Sequence, residues 1–170
     1  MAEEILEAPN VVEYPFSRTT GPVVGAFLTA LREGFVVGIK AADGSVIVPP
    51  VEYDPFTAEA LTEIVEVADA GEVVSWAWVA EPLADQPLDR PFAWALIKLD
   101  GADTPMVHAV DTGGDPAGIS TGSRVVARWR PPKPAGSDEP GPGLAEDPNP
   151  PRAYREGHIL DIECFVPEAS

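Results

Sequence analysis

Two stretches decide the fold: GEVVSWAWV, residues 71–79, and PFAWALIKLD, residues 91–100. Both are rich in β-branched and aromatic residues, which suit a pleated, half-buried surface. Along each, side chains alternate between two faces. Trp76 and Trp78 share a face of the first, and Phe92 and Trp94 share a face of the second. Proline-rich residues 82–91 make a loop between them, and Asp100-Gly101 makes a turn after them. Working outward, Pro105 to Val110, Ser123 to Arg130 and Gly157 to Val166 read as further strands. A glycine-rich connection, Thr112 to Gly122, separates the first two. Several short strands of alternating character predict a mainly β protein built on a small closed or nearly closed barrel.

Upstream the pattern changes. Residues 1–13 are acidic, and Tyr14-Pro15-Phe16 is an aromatic pair fixed by a proline. Pro22 suits the first turn of a helix over Val23 to Arg32, with Val24, Phe27, Leu28 and Leu31 as its apolar stripe and Gly34 as its C-cap. Phe35 to Ile39 and Ser45 to Val48 form a hairpin around the Asp43-Gly44 turn. A brief helical turn near residues 57–60 precedes the next strand. The chain therefore divides into 1–57, an acidic N-terminus with helix and hairpin, and 58–170, the barrel. The barrel carries a Pro/Gly-rich insert at about 131–156 before its last strand. The acidic, low-complexity core of that insert, PPKPAGSDEPGPGLAEDPNPP (131–151), has no means of building a core.

The chain of 170 residues is 45% apolar, as a folded globular protein is, and carries a net charge of −17. Nucleic-acid binding needs a basic stripe, so this balance argues against it, and equally against an anionic membrane surface. The one cysteine, Cys164, permits no intramolecular disulfide. No signal-peptide pattern opens the sequence, and no apolar run approaches the roughly 18 residues of a membrane span. The expected location is the cytoplasm.

Residues that carry chemistry are few. His108, His158 and Cys164 are the only thiolate or imidazole candidates for a zinc site, and they are dispersed. His158 and Cys164 would share a face of a regular strand, but two ligands do not make a site. His108 and Asp111 could act as base and orienter, although a regular strand puts them on opposite faces. Ser120 and Ser123 lie outside any nucleophile elbow, and Gly113, Gly114, Gly118 and Gly122 match neither a P-loop nor a dinucleotide fingerprint. Arg124, Arg128 and Arg130 fall on one face of one strand with Val126. They are either a solvated face paired with acids or a docking stripe for an anionic group or acidic partner. Trp76 and Trp78 are either core or an aromatic binding strip.

In order and spacing these features resemble the domain-of-unknown-function thirty-five family, a rubredoxin-like zinc ribbon followed by an OB-fold. The resemblance runs from about Tyr14 to Val166, through GIKAADGSVIVPP, GEVVSWAWV, PFAWALIKLD, TGSRVVARW and the closing strand at Cys164. It implies a five-stranded OB-fold barrel behind a zinc-ribbon-like hairpin. The positions of the ribbon's metal-binding cysteines are held here by Lys40, Asp43, Asp54 and about Thr57, so the resemblance implies a ribbon without zinc. It also implies a non-catalytic partner subunit of a thiolase-like or lipid-transfer-protein-type enzyme. Such enzymes act on acyl-CoA thioesters, including retro-aldol cleavage of steroid side chains, in a heterotetramer or larger complex. Arg124, Arg128, Arg130, Trp76 and Trp78 would then dock acyl-CoA or the partner. A free-standing acyl-CoA or small-anion binding module, and an enzyme using His108, are the alternatives.

Overall fold

The computed structural model describes residues 19–134 and 153–168. A helix, α1 (Pro22–Glu33), opens it, with Pro22 in the first turn and Gly34 closing it in the left-handed region (φ 91°). Its buried residues are Val23, Phe27, Ala30 and Leu31. The stripe is thus rotated from the expected one, with Val24 and Leu28 half-buried, because the helix lies against the strand that follows it. That strand, β1 (Val36–Lys40), is buried along Val36, Val37, Gly38 and Ile39. It pairs on one side with β2 (Val46–Ile47) and on the other, antiparallel, with β3 (Ile64–Val67). β3 lies beyond the division drawn at 57/58, yet it shares a sheet with the hairpin.

The expected helical turn at 57–60 is not formed there. A single turn closes earlier, where the Ala58 N–H donates to the Asp54 carbonyl (2.9 Å). It stops at Ala58, whose φ of 58° is left-handed and cannot propagate a right-handed helix.

The rest is the barrel: β4 (Ala70–Val79), β5 (Phe92–Leu99), β6 (Met106–Val110), β7 (Arg124–Trp129) and, at the end, β10 (Ile162–Pro167). β4, β5 and β6 are an antiparallel meander, β7 returns to β4, and β10 closes the gap between β6 and β7. β10 runs parallel to β6 and antiparallel to β7. The expected five-stranded barrel is therefore present, closed, and in OB-fold order. A register shift between Val73 and Ser75 bulges β4 and lets one strand serve two neighbours.

The interior is filled by Val73, Ala93, Ala95, Ile97, Leu99, Met106, Val110, Val125, Ile162 and Phe165. It is continuous with Phe27, Leu31, Val36, Val37 and Val48, so helix, small sheet and barrel share one core. A hydrogen-bonded seam fixes the hairpin to the β5–β6 turn. The Val46 N–H donates to Asp103 (2.8 Å), the Val48 N–H donates to Thr104 Oγ1 (2.8 Å), and the Asp103 N–H donates to the Val46 carbonyl (2.8 Å).

The last strand is shorter than expected. His158 caps a single 3-10 turn, Ile159–Asp161, and only Ile162 onward is extended. The cause is Asp161, whose carboxylate accepts the N–H groups of Glu156, Gly157 and His158 (3.1, 2.7 and 2.9 Å) and folds the chain back. Just upstream, β8 (Lys133–Pro134) and β9 (Ala153–Tyr154) pair, bringing the two ends of the insert together. The remainder of the insert, 135–152, and the acidic N-terminus lie outside the described residues.

Candidate functional site

Two members of the arginine stripe have the expected parity on β7: Val125 and Ala127 are buried, and Arg124 and Arg128 point away from the core, while Arg130 is exposed just past the strand's end. The stripe's charge is largely spent. Arg124 forks onto Asp100 through two bonds (2.7 and 2.6 Å) and reaches Glu168 (3.2 Å). Arg128 bonds Glu163 (2.8 Å) and Asp111 (3.0 Å). Arg130 alone of the three makes no ion pair among the described residues. Beside it, Arg155 donates to the Arg130 carbonyl (2.7 Å) and stacks on the Trp129 ring, 5.3 Å from its centroid. Arg130 and Arg155 line a shallow cleft with Pro131, Glu156, Leu160 and Asp161. Its volume is about 90 Å³, well below the roughly 300 Å³ at which small-molecule pockets begin.

Asp111 sits at the centre of a second cluster. It is buried and accepts from Arg90, from Arg128 and from the Gly113 N–H (2.9 Å). The Arg90 guanidinium, more than any other group, holds its carboxyl far below the usual carboxylate range. His108 lies on the other side of β6, inside the barrel, edge-on to Phe165. Burial lowers its pKa, so it stays neutral. His108 and Asp111 therefore do not form a base and its orienter. Cys164 is buried on the outer face with Leu88, Phe92 and Ala109, and burial pushes its thiol up to about 11. His158 donates no face to it, because it precedes the 3-10 turn instead of lying on β10.

Trp76 and Trp78 are half-buried against the main core, and Trp94 meets Phe92 edge-on at 5.4 Å in the outer cluster. These rings are packing elements first.

The four positions at which the resemblance implied a metal are engaged in other bonds. Lys40 pairs with Glu63 (3.1 Å), and Asp43 bonds the amide and hydroxyl of Ser45 (2.9 and 2.6 Å). Asp54, 4% exposed, does most of the joining. One oxygen accepts the N–H groups of Phe56 and Thr57 (2.8 and 2.9 Å), and the other accepts the Ala42 N–H from the facing turn (3.0 Å). The Ala42 N–H, ahead of the other two, lowers the pKa of its carboxyl. A cation, a hydroxyl and a carboxylate already saturated by three amides do not fit a tetrahedral zinc. Among the described residues no three His, Cys, Asp or Glu side chains cluster as a metal site would.

The sequence suggests Tyr53 as a residue packing against the barrel or a partner, and misses Phe56 beside it. The loop that Asp54 holds exposes Phe56 (86%) and Tyr53 (61%), with Val51 beside them. The available signal was an aromatic residue in an Asp-Pro turn, where no core can use it.

Residues 64–130 match the family model for the C-terminal OB-fold domain of ChsH2. Among solved structures, the chain is similar to one described as an Ltp2-ChsH2(DUF35) aldolase. The two share 22% identity and a TM-score of 0.52, over 88% of this chain and 98% of that one. It is also similar to a DUF35-family protein of unknown function from Sulfolobus solfataricus. There the identity is 19% and the TM-score 0.51, over 64% of this chain and 77% of that one. No curated protein matches. These matches support the DUF35 resemblance and the OB-fold. Among the described residues no helix is long and apolar enough to cross a membrane.

Proposed function

We propose that this protein is a non-catalytic accessory subunit of an aldolase-type complex, partnered by a thiolase-like enzyme that handles acyl-CoA thioesters. The observation that carries the reading is the likeness to the Ltp2-ChsH2(DUF35) aldolase across 88% of the chain, together with the ChsH2 OB-fold match. The side chains support the accessory role. His108 is buried and neutral, Cys164 is buried and protonated, and Asp111 is locked between two arginines, so none is poised for proton transfer or attack. The steroid side-chain substrate, a cytoplasmic heterotetramer or larger assembly, and a metal-free hairpin belong to the same proposal. Pairing of Arg124 and Arg128 removes the open cationic stripe on which a free-standing anion-binding module would rest.

Co-expression with a thiolase-like protein of the same organism, with a tag on one chain only, tests the reading. Both chains are expected to elute together, and cleavage activity to depend on both. Separate elution, with the partner fully active alone, overturns it.

A further inference from the structure

The accessory-subunit reading leaves open which surface meets the enzyme, and the geometry of the loop at residues 51–58 supplies an answer. Its two arms are tied across the neck: the Asp54 N–H donates to the Glu59 carbonyl (2.8 Å), and the Leu61 N–H donates to the Glu52 carbonyl (2.9 Å). Asp54 then fixes the tip from inside through the amides of Phe56 and Thr57, and fixes it to the facing turn through Ala42. A loop so fully bonded need not order itself on binding, which removes one of the main costs of association. What it presents is two aromatic side chains, Phe56 and Tyr53, facing water. Exposed aromatics on a preorganised support have the form of interface anchors.

The charge around them specifies the occupant. From Ala41 to Asp89 every charged residue is acidic. Lys40, the nearest cation before that span, is held by Glu63. A second copy of this chain would meet the tip with the same acidic field and be repelled. We propose that the Phe56–Tyr53 tip is the anchor by which this protein docks into an apolar pocket, rimmed by Lys and Arg, on its enzyme subunit. This inference rests on the accessory-subunit reading and adds the place and chemistry of the contact.

The test is titration of the full chain into the purified thiolase-like subunit, by calorimetry, at low and high salt. Phe56→Ala is expected to weaken affinity about tenfold or more, and Tyr53→Ala less. Leu83→Ala, at another exposed apolar position, is expected to leave affinity unchanged. Higher salt is expected to weaken wild-type binding. The Phe56→Ala thermal midpoint should stay at the wild-type value, because the side chain touches little in the free protein. Wild-type affinity in the Phe56→Ala/Tyr53→Ala double variant overturns the inference and leaves the accessory reading standing. A wild-type dimer that Phe56→Ala turns into monomer assigns the tip to a second copy and also overturns it. No binding by the wild type removes both readings together.

Discussion

Asp54 shows how much one carboxylate can hold. It gathers three amides from two turns, so its loss would free both turns at once. Asp54→Asn keeps the shape but puts a donor where one acceptor was, and is expected to lower the thermal midpoint; Asp54→Ala is expected to lower it further. The pH dependence follows from the sign of the shift. Because folding lowers the Asp54 pKa from about 3.8, its stabilisation is complete above that value and is lost as pH falls through the lower, folded one. The wild-type advantage over Asp54→Asn in urea melts should therefore be constant from neutral pH to about 5 and shrink below about 4. A chelator should leave the wild-type midpoint unmoved. Residue parity along β7 was legible because it follows from period two. The partners of those arginines were not, since Asp100, Asp111, Glu163 and Glu168 arrive from other parts of the chain.

At the scale of elements, β4 carries the strictest demand. It pairs with β5 along its length and with β7 over Ala70, Gly71 and Glu72. At Gly71 a Cβ would run into the carbonyl of Lys98 and come within 2.7 Å of the Leu99 Cα. These are backbone atoms that no rotamer change can move. Gly71→Ala is expected to destabilise the fold by about 3 kcal/mol, read from the shift in urea midpoint at constant slope. Strand positions were legible wherever apolar and polar residues alternate over five or more positions, as in β4 and β5. They were misread where a polar side chain captures nearby amides. Asp161 turns Gly157–His158 out of the predicted last strand, and Asp54 draws the predicted helical turn back to 54–58. Such capture depends on which carboxylate becomes buried, and local composition does not encode that.

For the whole molecule, charge sets the terms. A net charge of −17 on one compact core means that like charges crowd one another on folding. The surface pairs of Arg124 and Lys40 offset little of this, since exposed pairs contribute about 1 kcal/mol or less. Adding salt should screen repulsion more than it weakens these pairs, so the thermal midpoint is expected to rise from low to moderate sodium chloride concentration. A fall would mean that the ion pairs dominate. The barrel as a class was legible from strand count and spacing. Its shared core with the helix was not, because α1 and β1 reach the barrel through contacts distant in sequence.

The order of the strands has a consequence during synthesis. β10 fills the slot between β6 and β7, and it is the last of the five barrel strands to be synthesised. Until it emerges, the nascent chain carries two unpaired strand edges and an interior without Ile162 and Phe165. Open edges invite pairing with other chains. A product truncated before Ile162 would keep both edges open, and it is expected to aggregate where the closed barrel does not.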